Sequence, residues 1–595
     1  MREGLTRPLW LAAVVLAFCV PLFVGLGRTD MENDEAIYSY AVDGILRTGD
    51  WLNPLSSPHE DAIFLEKPPL KFWIVAAPMA LGLAPANEVG MRIWDALFGA
   101  MSFLYVFAIG RRLAGPLCGF VAVLVLFAYG PLLFEHGLRN NNMEAPLVLS
   151  YCGGVYHYLA WASAESRGRR LAHAIAVSLY FFLGFMTKFV AAIFLPLLLA
   201  AATVFHGASR RQLFRDWRLW GVAKILFLIL AAPWFIYEHV HAGAAFWQTI
   251  FGAHVVARMT VGIDPSHVQP WHYYFSTIYR ELAHAGTAWL AIAGGVLLVA
   301  RAFTDRRLEV FTVIAWFAVP IGLISFGTSK LGHYAYPFLP PVALAAGYGP
   351  ALLLTYGRGR VEALMTRIQQ AIDRRGWIGT GLRRVLLAVA AISLAIAAAT
   401  LVMGQLDITL GGTRFFRNSH VARPLVVTLL LATLAGRGVM AVRVLLPIAL
   451  LLAILPGRAY EDQVRKTMVR NDPMRTAAEC MVAVRQQEYE AHRPAPGIHV
   501  VGEQKWMLHS HYYYFHHLGR WDRTPVVVDE VLEQGLFKPG YERPILIGDA
   551  DYQAFKARHG AALADLQMLR LRDALLLMPG PYAACAPRVR AAYSR

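Results

Sequence analysis

Between Leu9 and Pro456 the chain alternates long apolar runs with short polar breaks. The runs are apolar all round rather than along one stripe, which separates them from the helices of a soluble core. Runs of about 17 to 22 residues recur, each long enough to cross a hydrocarbon layer of about 30 Å as an α-helix. The pattern predicts about thirteen crossings, at 9–27, 92–110, 115–135, 145–163, 171–187, 189–206, 219–238, 285–301, 309–327, 335–356, 385–403, 424–440 and 442–456. Beyond Gly457 the period changes. Ala477 to Tyr489 reads as a helix, and Val500-Val501, Val526-Val527-Val528, Ile545-Leu546-Ile547 and Leu575-Leu576-Leu577 read as short buried strands. The expected architecture is an all-α polytopic membrane domain, residues 1–456, followed by a small extracytoplasmic α/β domain, 457–595.

Charge fixes the orientation. Arg111-Arg112, Arg167-Arg169-Arg170, Arg210-Arg211-Arg215-Arg218, Arg301-Arg306-Arg307, the segment 358–384 and Arg437 with Arg443 all fall on one side if the N-terminus is cytoplasmic. Counting Pro68 to Ala84 as a crossing would put most of these clusters outside, so that stretch is expected to lie at, or dip into, the outer interface. Arg414, Arg417 and Arg423 run against the rule in a predicted outer loop. The first run has a short basic flank (Arg2, Arg7) and no clear small-residue cleavage site, so it reads as a retained helix.

Composition agrees with this picture: 57% of residues are hydrophobic and 16% charged, against about 25% charged in soluble domains. The formal charge of +16 sits in the short clusters between apolar runs and comes with no nucleic-acid-binding motif. Four long segments, 28–91, 238–284, 404–423 and 457 onward, fall outside. The inner loops are short, the longest being 357–384, and a βαβ unit needs about 30 residues. No nucleotide cofactor is expected. Cys19, Cys118 and Cys152 lie in spans as small buried residues. Cys480 and Cys585 lie in the outer domain, where a disulfide between them is permitted but not required.

Against this background some polar residues stand out. The first outer loop carries Glu32-Asn33-Asp34-Glu35 and then Phe64-Leu65-Glu66-Lys67-Pro68-Pro69-Leu70. The paired prolines fix the backbone where the chain enters the interfacial helix, which holds Glu66 and Lys67 at the membrane surface. Glu144 opens a span at the edge of the hydrocarbon, where an ionisable group is costly. It reads equally as a functional carboxylate or as a solvated one favoured by the helix dipole. His254 and Arg258 stand four apart, hence on one face of an α-helix, and Ser329-Lys330-Leu331-Gly332-His333-Tyr334 joins two spans on the outer side. Carboxylates, histidine and cations from four outer loops thus gather at one membrane face, as a site for a charged lipid head group requires.

These motifs resemble the integral-membrane glycosyltransferases of the GT-C fold, above all the lipid A aminoarabinose transferases and the protein O-mannosyltransferase-like enzymes. The likeness rests on Asp34-Glu35, Glu66-Lys67-Pro68-Pro69-Leu70, Gly110-Arg111-Arg112-Leu113, Glu144-Ala145-Pro146-Leu147, Gly184-Phe185-Met186-Thr187-Lys188, Ala231-Ala232-Pro233-Trp234 and Gln269-Pro270-Trp271. It covers roughly residues 1–350; beyond that only the layout is similar. The resemblance implies transfer of a sugar from a polyprenyl-phosphate donor to a hydroxyl of a lipid, protein or polysaccharide at the outer face of a bacterial inner membrane. Asp34 matches the candidate general base, and Lys67 the lysine that contacts the donor phosphate, with Arg258 as a second candidate. Glu66 and His254 match metal-binding positions, with Glu144 as a possible third, for a divalent ion such as Zn²⁺ or Mn²⁺. Glu144 departs from the family, whose relatives commonly have aspartate there. Glu35, Lys330, His333 and Tyr334 complete the candidate pocket. The competing reading is a transporter or flippase of a lipid-linked sugar, which would be expected to carry ionisable groups near the middle of spans and internal repeats.

Overall fold

The computed structural model describes residues 2–56, 63–261, 265–403, 405–410, 413–436, 449, 457–492, 498–501, 513–514, 523–526, 544–559, 566–571, 573–580 and 585. The chain divides into two compact units. One comprises 1–21, 98–137 and 144–466; the other comprises 22–97, 138–143 and 467–595.

The first unit is a bundle of helices that opens with α1 (Arg2–Cys19). Every expected crossing coincides with a helix except 442–456, of which only residue 449 is among the described residues. Among the described residues, six helices are long and apolar enough to cross a membrane: Glu88–Ala114, Arg167–Ala192, Trp217–Ala257, Leu308–Ser325, Gly332–Gly357 and Gly376–Met403. Five expected crossings appear as shorter apolar helices, Leu11–Leu22, Pro116–Ala128, Phe194–Phe205, Ala288–Thr304 and Ala422–Ala435, and Glu144–Ser163 is a helix of 20 residues. Large apolar side chains such as Ile229, Ile236, Val240, Leu401 and Val402 stand exposed on these helices. In water such a surface would aggregate; against lipid it is the expected one. The chain is a multi-pass membrane protein. Where two helices cross closely, small residues make the approach possible: a Cβ on Gly294 would sit 1.7 Å from the Ala345 carbonyl oxygen.

The second unit joins segments that a linear division at residue 456 keeps apart. It contains the first outer loop, with α2 (Asp34–Thr48) and α3 (Leu70–Ala80), and the first turns of α4 (Glu88–Ala114), together with the C-terminal domain. The segment expected at the outer interface forms α3, whose 11 residues rise about 16 Å at 1.5 Å each. Strands β1 (Leu406–Leu410) and β2 (Thr413–Asn418) pair antiparallel in the helical unit. In the C-terminal sheet β3 (Ile498–Val501) runs parallel to β4 (Arg523–Val526) on one side and to β5 (Ile545–Gly548) on the other. β7 (Ala574–Pro579) runs antiparallel to β5 and to β6 (Leu566–Leu571). β6, with its mixed burial, was not announced by the apolar runs, and β4 shares only Val526 with the run expected at 526–528, whose other two residues lie outside the described residues. The helix Pro473–Glu490 extends the expected 477–489, and its Cys480 is disulfide-bonded to Cys585, with Cα atoms 5.5 Å apart.

A buried polar network ties the second unit together. Lys71 Nζ meets Asp95 Oδ2 at 2.6 Å and donates to Asn141 Oδ1 at 2.8 Å, with the Lys71 and Asp95 side chains 1% and 0% exposed. Asn141 also donates from its backbone to Glu35 Oε1 (2.7 Å) and from its amide to Ser39 Oγ (3.0 Å). Removing one member of a buried pair strands the other charge, at a cost of about 3–5 kcal/mol. Lys71→Met is therefore expected to lower the unfolding free energy of the detergent-solubilised protein by about that amount in a denaturant titration. The double variant Lys71→Met/Asp95→Leu should recover most of the loss.

Candidate active site

The candidate residues fall into two groups, one in each unit. Asp34, Glu35, Glu66 and Lys67 belong to the unit of the first outer loop; Glu144, His254, Arg258, Lys330, His333 and Tyr334 belong to the helical unit.

In the first group, Asp34 is the opening residue of α2 and is partly buried; Tyr38 Oη donates to its Oδ2 at 3.5 Å. The residue before it, Asn33, has φ 51° and ψ −131°. A non-glycine residue there costs about 1–3 kcal/mol and persists only where its surroundings hold it. Here the Asn33 carbonyl accepts from Ala36 N at 3.1 Å, and Glu35 N donates to the Glu32 carbonyl at 3.1 Å. Glu35 is not available to a ligand in the way the sequence suggested. It is buried, and both of its oxygens are taken by Arg92, at 2.7 Å from Nε and 2.8 Å from Nη2. Lys67 is buried while Glu66 is exposed, with Nζ and Oε2 3.7 Å apart. Three rings seat this segment: Phe64 lies 5.4 Å from Phe72 and 6.1 Å from Tyr38. Tyr38 thus touches the candidate base and the strip that leads to Lys67. A carboxylate and a buried ammonium are both held on fixed backbone.

In the second group, Glu144 opens its helix, is buried, and pairs with Lys188. His333 Nε2 stands 3.7 Å from the same carboxylate oxygen, the Lys188 ammonium lies 5.1 Å above the Tyr334 ring, and His333 stacks on His136 at 4.4 Å. Of the two readings open for Glu144, the solvated one is excluded by its burial. Lys330 is buried, but its ammonium donates to the carbonyl of Gln269 at 2.7 Å and to that of Gly327, so it fastens one loop to another. Its burial lowers the ammonium's pKa. The 248–257 segment is wound as a π-helix rather than an α-helix, a form often found at functional sites. The α-helical spacing argument for His254 and Arg258 therefore does not apply, and the side chains of both lie outside the described residues.

A metal set of Glu66, His254 and Glu144 is only partly suited. Imidazole with carboxylate is an appropriate donor pair for Zn²⁺ or Mn²⁺, but Glu144 already neutralises Lys188. Among the described residues, no group of three His, Cys, Asp or Glu side chains could hold a metal ion.

Sequence reasoning passed over Lys188, Arg92, Lys71 and Asp95 as site-building residues. The signal was there. Lys188 is the charged residue between two apolar runs, and its non-helical backbone (φ −138°, ψ 61°) breaks the helix where the two expected crossings meet. The others are ionisable groups inside or beside apolar stretches, where a partner has to exist.

Comparison with known proteins points the same way. Residues 66–237 match the family described as "Dolichyl-phosphate-mannose-protein mannosyltransferase". The chain is 28% identical over 345 residues, 57% of its length, to an undecaprenyl phosphate-alpha-4-amino-4-deoxy-L-arabinose arabinosyl transferase of Pseudomonas fluorescens. It is also 28% identical over 397 residues to its counterpart in Pseudomonas paraeruginosa, covering 66% of this chain and 65% of the relative. The Pseudomonas fluorescens alignment spans 55% of that relative, so the match reaches about half of its length. In structure the chain is similar to ArnT from Cupriavidus metallidurans bound to undecaprenyl phosphate. The TM-score is 0.53, with 17% identity, over 96% of this chain and 97% of that one.

The Glu144–Lys188 pair can be tested as a unit. A double-mutant cycle with Glu144→Gln and Lys188→Met is expected to give a coupling of at least about 1 kcal/mol. Effects that simply add, within about 0.5 kcal/mol, would show that the two side chains do not interact. In fold the chain is similar to the ArnT structure, and in sequence it is similar to the mannosyltransferase and arabinosyl transferase families that its motifs resemble.

Proposed function

We propose that this protein is a glycosyltransferase that moves a sugar from a polyprenyl-phosphate donor to an acceptor hydroxyl at the outer face of a bacterial inner membrane. The observation that supports the reading is that Asp34 and Lys67 lie in one compact unit and are linked through the Tyr38 and Phe64 rings. The carboxylate starts α2 and the buried ammonium precedes α3, with Tyr38 and Phe64 in contact between them. The sequence relatives, named for arabinosyl transfer from undecaprenyl phosphate and mannosyl transfer from dolichyl phosphate, support the donor class. No observation favours the transport alternative.

In the reaction, the acceptor oxygen bonds to the anomeric carbon while the bond from that carbon to the phosphate oxygen breaks. The hydroxyl proton passes to the Asp34 carboxylate, and a positioned base of this kind contributes typically 10²–10⁴-fold. The polyprenyl phosphate leaves with the bonding electrons, and its charge is met by Lys67 and Arg258. One carboxylate base without a second, nucleophilic one suits a single displacement, which inverts the anomeric centre. Lys188, balanced by Glu144 beside the Tyr334 ring, is a further cation for the donor. The acceptor class, whether lipid A, a protein or a polysaccharide, depends on cavity shape.

Turnover should be measured with reconstituted protein and a panel of polyprenyl-phospho-sugars. Asp34→Asn and Lys67→Ala are each expected to lower it by about 100-fold or more; full turnover in both would remove the reading. We also propose a divalent ion, Zn²⁺ or Mn²⁺, at Glu66 and His254, which when bound would supply positive charge to the donor phosphate. Elemental analysis should find the metal in the wild type and a deficit in His254→Ala. Equal, negligible content in both would exclude it.

A further inference from the structure

The C-terminal domain reaches the candidate base through one carboxylate. The helix Pro473–Glu490 begins without a cap of its own: Asp472, in the N-cap place, makes no capping bond and turns its side chain to Arg470 and Arg475. Pro473 has no N–H to satisfy. The next two N–H groups, of Met474 and Arg475, donate to Asp30 Oδ2 at 2.6 Å and Oδ1 at 3.1 Å. A residue of the first outer loop thus occupies the capping position of a helix 444 positions away. Asp30 is 3% exposed, and its backbone is fixed as well. Its N–H donates to the Asn471 carbonyl at 3.0 Å, and its carbonyl accepts from Arg92 Nη2 at 2.7 Å. Met31 N donates to Tyr514 Oη at 3.1 Å, and Tyr514 Oη donates to Glu88 at 2.9 Å. At Gly25 (φ 69°), a Cβ would fall 2.0 Å from the Thr467 carbonyl oxygen, so the loop also lies close against the backbone that leads into the domain.

Asp34 stands four residues further on, immediately after the strained Asn33. We propose that Asp30 is a positioning residue for Asp34, and that by capping this helix it lets the C-terminal domain set where the base stands. The catalytic part rests on the reading of Asp34 given above. The physical coupling does not: Asp30 joins the helix start to the segment that ends at Asp34, so loosening one end loosens the other. The disulfide from Cys480 ties the same helix to Cys585 and keeps the cap's partner in place.

The test uses the full chain in detergent and compares wild type with Asp30→Asn and Tyr514→Phe. Hydrogen exchange is followed by mass spectrometry over 28–38, over 470–480 and over strands β5 and β7, alongside kcat and KM for a polyprenyl-phospho-sugar. A lost cap opens a helix start by about tenfold. Asp30→Asn should therefore exchange about tenfold faster in both 28–38 and 470–480, with the strands unchanged. Its kcat should fall by about the same factor while KM stays within about twofold. Tyr514→Phe should shift both readouts in the same direction by less, and it keeps the test valid if Asp30→Asn does not fold. Faster exchange confined to 470–480, or an unchanged kcat despite faster exchange in 28–38, overturns the proposal. If the wild type turns over no such donor, the reading of Asp34 as a base falls, and the exchange result alone decides the coupling.

Discussion

A guanidinium taken out of water must have its N–H groups answered, and much of the second unit is arranged to answer those of Arg92. The side chain is 1% exposed and donates to the carbonyls of Leu26, Thr29 and Asp30, to the Thr29 hydroxyl and to both oxygens of Glu35. Those acceptors come from the entry of the first outer loop and from the first turn of α2. One cation in α4 thereby fixes the path of the chain on both sides of Asp34. A weaker or single-point contact would leave the loop free to choose among conformations, at about 1–2 kcal/mol of entropy per residue to be recovered elsewhere. The Lys71–Asp95 pair does the same for the start of α3, and Asn141 joins the two ion pairs.

This arrangement accounts for the division of roles among neighbouring acidic residues. Asp34 and Glu35 are adjacent, yet Glu35 is closed off by Arg92 while Asp34 keeps a partly open face beside Tyr38. Likewise, Glu66 is exposed and Lys67 buried on consecutive residues. In each case the backbone, set by a cap or a proline, decides which side chain turns inward. In the helical unit the same logic gives Glu144 its burial, since the Lys188 ammonium and the helix start both favour a negative charge there.

The crossings were legible because lipid demands apolar surface all round, and few structures outside a membrane produce a run of that kind. Helix ends were also close: the expected break between 187 and 189 coincides with the non-helical Lys188. Strands β3, β5 and β7 followed from short β-branched or leucine-rich runs, whereas β4 shares only Val526 with the expected run and β6, Leu-Gln-Met-Leu-Arg-Leu, has an interrupted pattern that an edge strand tolerates. Asp34, Glu66 and Lys67 could be singled out from motif and position. What the chain did not disclose was pairing. Nothing local in Glu35 says that Arg92 will claim it, or in Lys330 that backbone carbonyls will, because such contacts join segments far apart in sequence. The grouping of the first outer loop with the tail is a long-range property of the same sort.

That grouping bears on how the protein is made. The first outer loop leaves the ribosome long before the helix whose start Asp30 caps, with 444 positions between the bonded residues. Arg92 and Glu35 can find one another early, but the bonds from Asp30 to Met474 and Arg475 and from Met31 to Tyr514 form only after the intervening helices have been made. Contacts of such long separation form late and slowly. Until then the polar groups of that loop are held by water while the intervening helices insert. Settling the first outer loop thus waits on residues 474–514.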